Sequence, residues 1–99
     1  MRVIATHEAV EFVRERGGTV FVWPLALEGP TAGRGVFALE ASTESPGVDH
    51  GFVRFGDEGF DVLIDATEHG VPDELHLALT GWRRRRLRAY WNGHSYGRD

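Results

Sequence analysis

The residues with most chemical potential are gathered at the end of the chain, in GWRRRRLRAYWNGHSYGRD, Gly81 to Asp99. Four consecutive guanidinium groups, Arg83 to Arg86, and a fifth at Arg88 lead into Tyr90-Trp91-Asn92-Gly93-His94-Ser95-Tyr96. Three chemistries fit this pattern. Arginines could neutralise phosphates while Tyr90, Trp91 and Tyr96 stack on bases. The same residue types are favoured anchors in protein interfaces, and a basic edge strand would dock an acidic protein partner. The third reading is a solvated strand face, since charge runs usually face water. Read as a strand, the segment points Arg84, Arg86, Arg88 and Tyr90 to one face and Arg83, Arg85, Leu87, Ala89 and Trp91 to the other.

Charge balance bears on the choice. The 99-residue chain has a net charge of −4, with eleven Arg and no Lys. Residues 1–80 hold five Arg against fourteen acids, a balance of −9, and residues 81–99 hold six Arg against Asp99, a balance of +5. Nucleic-acid binders generally show a basic face on a basic or neutral background. The acidic remainder therefore argues against nucleic acid and favours the solvated face, which those acids would partly neutralise; a protein partner is the alternative, with Arg84, Arg86, Arg88, Tyr90, Trp91 and Tyr96 as the contact residues.

Other constellations are sparse. There is no cysteine, which excludes disulfides, thiolate metal ligands and cysteine nucleophiles for this chain acting alone. The five histidines are His7, His50, His69, His76 and His94; none has the close spacing of a metal pair on a helix or loop. The stretch Gly29-Pro30-Thr31-Ala32-Gly33-Arg34-Gly35 superficially resembles a phosphate loop. It lacks the Gly-Lys-Ser/Thr ending and precedes a strand, so no helix N-terminus stands ready for phosphate. No feature points to an enzyme, and a non-enzymatic role is expected.

The elements that must position these residues follow from periodicity. Thr6 to Arg16 reads as a helix, with Thr6 as N-cap, Glu8 and Glu11 near the positive end of the dipole and Gly17 as a left-handed stop. Ala9, Val10 and Val13 share its apolar face, widened by Ala5 or Phe12. Beyond Gly18 the period changes to two. Strands are expected at Thr19–Trp23, where Pro24 ends the strand or marks an edge, and at Val36–Ala41. A hairpin is expected from Phe52–Phe55 and Phe60–Asp65 around Gly56-Asp57-Glu58-Gly59, then strands at Glu74–Leu79 and Arg83–Trp91. One helix and about six strands with short turns predict a mainly β (α+β) single domain over residues 1–99, a small sandwich or pseudo-barrel. No segment has the roughly 20 apolar residues of a membrane span, and the N-terminus turns charged at once. A cytoplasmic protein with no membrane partner is expected.

A helix opening Thr-x-x-Ala-Val, a Gly-Gly before a strand, a Gly-rich loop feeding GVFALEA, the alternating GFDVLIDA and the closing AYWNGHSYG together resemble the HesB-like family, the A-type iron–sulfur carriers. The resemblance covers nearly the whole chain by order and spacing. It implies a small β-rich pseudo-barrel, a role in assembling or delivering iron–sulfur clusters, and a homo-oligomer with iron or a cluster held between subunits by three cysteines. Those cysteines align near Ala32 and with Tyr90 and Asn92, or with His94 in a shorter tail. Because thiolates supply the softness and charge that hold such clusters, the resemblance here implies a scaffold without its usual site, no resident cofactor, and an accessory or protein-binding role. The alternatives are residual Fe or Zn binding through His94 of two subunits, and nucleic-acid binding through the Arg83–Arg88 strand.

Overall fold

Hydrophobic side chains alternate with period two through most of the chain, and a computed structural model shows how those stretches pair. It describes residues 1–26, 37–47, 51–57, 59–67 and 70–92. In order they form β1 (Arg2–Ala5), α1 (His7–Glu15), β2 (Thr19–Ala26), β3 (Phe37–Ser42), β4 (Phe52–Asp57), β5 (Phe60–Asp65), β6 (Glu74–Thr80) and β7 (Arg86–Trp91). The expected mainly β architecture with one N-terminal helix is present.

The strands form two sheets, a three-stranded one in the order β1-β6-β7 and a four-stranded one in the order β3-β2-β5-β4. Two pairings are parallel, β1 with β6 and β2 with β5; the others are antiparallel. Where the sheets meet, β3 runs close to β7. Val20 and Val22 of β2, Val62 and Ile64 of β5, and Leu75 and Leu77 of β6 turn inward and are almost fully buried. Helix α1 closes the core with Ala9 and Val13, while Val10 and Phe12 pack at its margin. Burial of each such branched side chain stabilises by roughly 1.5–3 kcal/mol. The shared core therefore fixes how the two sheets present β7.

The helix begins and ends as expected. Thr6 is extended (φ −68°, ψ 156°), and its Oγ1 accepts a hydrogen bond from the Ala9 amide at 3.2 Å. At the other end the Arg16 and Gly18 amides both donate to the Val13 carbonyl, at 3.1 and 2.9 Å, with Gly17 at φ +110°.

Three expectations are corrected. Strand β1 was not foreseen, bringing the strands among the described residues to seven. Its four residues are too few to display a period, and it is held by pairing: the Arg2 amide donates to the Asp73 carbonyl and the Thr6 amide to that of Leu77. Strand β2 passes through Pro24 to Ala26, because Pro24 pairs only with Leu39 of β3; pairing with β5 stops at Val22. Of the two readings of Pro24, the edge is the one observed. The final strand starts at Arg86, not Arg83. No apolar side chain before Leu87 anchors the arginine run to the sheet, so Arg83 to Arg85 belong to a hairpin tip.

Candidate docking surface

Strand β7 sets the geometry of the C-terminal arginines and aromatics. Leu87 and Ala89 point inward and are buried, so alternation turns Arg86, Arg88 and Tyr90 to the outer face. Across the antiparallel ladder these three stand opposite Thr80, Ala78 and His76 of β6. Trp91 lies in the inward row opposite Leu75 and packs against the core, so it is not part of the outer face. On the far side of β6 the surface continues into an ionic cluster. His76 Nε2 is 3.2 Å from Glu74 Oε1, and Arg2 Nη1 is 3.7 Å from Glu74 Oε2.

The arginines differ in their partners. Arg2, Arg16 and Arg54 each form an ion pair, with Glu74, Glu15 and Asp61. Arg84, Arg85, Arg86 and Arg88 form none among the described residues. Acids among the described residues lie near some of them, across two hollows. Arg83 and Arg85 share the wall of a hollow of about 350 Å³ with Glu8, Glu11 and Glu15 of α1. A larger hollow of about 620 Å³ at the β3–β7 junction is lined by Arg16, Arg85 and Arg86 together with Glu40 and Glu44.

The hairpin tip itself was missed. Thr80 to Arg86 is a run of seven exposed residues, and Trp82 within it is 89% exposed. The Arg83 guanidinium lies 5.5 Å from the centroid of the Trp82 ring. Gly81 makes the turn with φ +96°, and a Cβ there would collide with the Arg84 carbonyl oxygen. The available signal was a Gly-Trp pair directly before the charged run: a left-handed turn residue and a large apolar residue with no alternating partner.

The positions implied for cluster ligands are not gathered into a centre by the described residues. Tyr90 is on the outer face of β7. Asn92, at φ 50°, accepts a hydrogen bond from the Glu74 amide at Oδ1 (2.9 Å), so its side chain is engaged by the backbone. Ala32, His94 and Tyr96, with His50 and His69, lie outside the described residues. His7 pairs with Glu11 across one exposed turn of α1, Nε2 to Oε1 at 3.1 Å. Among the described residues no three His, Cys, Asp or Glu side chains converge in a way that could hold a metal ion. No helix among them is long and apolar enough to cross a membrane.

No protein-family model matches the chain, and no curated protein matches it. Among solved structures it is similar to Escherichia coli SufA, a protein described as involved in the biosynthesis of iron–sulfur clusters, with a TM-score of 0.57 and 15% identity over 98% of this chain and 93% of that one. At this identity the likeness is one of fold, and it agrees with the architecture implied by the sequence resemblance: the chain has a SufA-like, HesB-like fold.

Proposed function

We propose that this chain is a non-enzymatic SufA-like domain that binds a protein partner, in an accessory role related to iron–sulfur assembly, and does not itself carry a cluster. The observation that carries this reading is the outer face of β7, where Arg86 and Arg88 have no ion-pair partner among the described residues and Tyr90 completes the row. Arg and Tyr are favoured interface anchors, and guanidiniums with no ion pair among the described residues are available to carboxylates of a partner. The relation to iron–sulfur assembly rests on fold likeness, which is an analogy and not a site.

The donor set does not fit a cluster. The chain has no thiolate, and Asn92, aligned with a family cysteine, is hydrogen-bonded to the sheet backbone. Carboxamide and phenol groups do not replace the soft, charged ligands of an iron–sulfur cluster.

The test is affinity capture with the wild-type chain and with an Arg86→Ala/Arg88→Ala variant. Both residues are on the outer face, so the variant should keep the wild-type circular dichroism and melting temperature and lose the captured protein. Undiminished capture by the folded variant would remove this face from the reading.

A further inference from the structure

We propose that the β6–β7 hairpin tip, Gly81 to Arg85, docks on an anionic lipid bilayer. The expectation of no membrane partner rested on the absence of a spanning segment; adsorption to a surface requires none, and the proposal departs from that expectation. The structure moves Arg83 to Arg85 off the sheet and places them beside Trp82, whose side chain is the most exposed large apolar group among the described residues. Tryptophan is favoured at the membrane–water interface, where its ring enters the headgroup layer and its N–H remains hydrated. Arginines near an anionic surface each strengthen attachment about fivefold.

Shape and charge distribution favour a flat anionic surface over a polyanionic strand. A single-stranded nucleic acid needs a basic groove that follows its backbone, with successive aromatic platforms. Here one ring is exposed at the tip, and the hollows on either side carry Glu8, Glu11 and Glu15 in one and Glu40 and Glu44 in the other. A strand continuing from the tip in either direction would run past carboxylates. A bilayer touches only what protrudes, namely Trp82, Arg83 and Arg84. The acids behind the tip stay in solvent, where salt at roughly 50 mM screens them over about 14 Å. The Arg88–Tyr90 face is left free by this contact.

The experiment is co-sedimentation of the whole chain with phosphatidylcholine vesicles, with and without 30 mol% phosphatidylglycerol, at low salt (roughly 50 mM) and high salt (roughly 500 mM). Binding is expected only to the anionic vesicles and only at low salt. Arg83→Ala/Arg84→Ala should weaken it by about 25-fold, and Trp82→Ala should weaken it severalfold and abolish the blue shift of tryptophan emission on binding. Arg54→Ala, on the opposite sheet, serves as the charge control and should bind as the wild type does. The proposal is overturned by the absence of wild-type binding to anionic vesicles at low salt. It is equally overturned if Arg54→Ala weakens binding as much as the tip variants, or if an oligothymidylate of about 12 nucleotides binds the tip while the vesicles do not.

Discussion

Asn92 and Glu74 are joined twice: the Asn92 amide donates to the Glu74 carbonyl at 2.6 Å, and the Glu74 amide donates to Asn92 Oδ1 at 2.9 Å. The pair ties the end of β7 to the start of β6, next to the last ladder rung at Leu75 and Trp91. Asn92 holds a left-handed conformation (φ 50°) that asparagine tolerates better than other residues with a Cβ. Its side chain and its backbone preference thus serve the same junction.

Asn92→Ala removes the side-chain bond and adds left-handed strain, and should cost about 1–2 kcal/mol. Asn92→Gly loses the same bond without the strain and should cost less. In a domain of this size each kcal/mol lowers the melting temperature by roughly 4–8 °C, so thermal unfolding will rank the two. Equal losses would mean that the backbone conformation contributes nothing.

The helix was legible because its signals are local: a Thr6 cap, an apolar face at Ala9 and Val13, and glycine just after the last turn. The hairpin of β4 and β5 was legible for the same reason, since alternation and a Gly-containing turn lie within fourteen residues, Phe52 to Asp65. Strand β1 was not, because its pairing partner Glu74–Leu77 is about seventy residues away and its own four residues carry no period. On the docking surface, alternation placed Arg86, Arg88 and Tyr90 together. It failed for Arg83 to Arg85, because charged residues alone do not reveal where a strand stops. Trp82 escaped notice because exposure of a single aromatic depends on the turn at Gly81, which only the folded hairpin displays.

Thr6 joins β1 to α1, its amide bonded to Leu77 and its hydroxyl to the Ala9 amide. Thr6→Ala should destabilise by about 1 kcal/mol and Thr6→Ser by much less, because serine caps as well as threonine does. Denaturant midpoints at an unchanged slope would establish this. A neutral alanine variant would show that the cap is redundant with β1 pairing.

Gly81 has no room for a Cβ against the Arg84 carbonyl, and its φ of +96° disfavours any L side chain. Gly81→Ala should cost about 1–3 kcal/mol. The damage should be local, raising amide exchange at Thr80 and Arg86 more than at Val62 in the core. Uniform acceleration at all three positions would mean that the tip is coupled to global unfolding.

Ile64 is fully buried in β5, between Val22 of β2 and Val53 of β4. Ile64→Ala should cost about 2–5 kcal/mol. Total stability for a chain of this length is only about 5–15 kcal/mol. The urea midpoint should fall by about an eighth or more; a shift under a tenth would mean the two sheets repack around the missing methyls.

Anaerobic incubation with ferrous iron and sulfide tests the absence of a cluster site directly. With no thiolate in the chain, the expected product is colourless after desalting and free of bound iron and sulfide. Colour with stoichiometric iron would require a non-thiolate donor, and His94→Ala then separates the cases. Loss of iron in that variant would assign an imidazole site between subunits and overturn the reading of the chain as a domain that binds partners without carrying a cluster. Retention would remove His94 from the account.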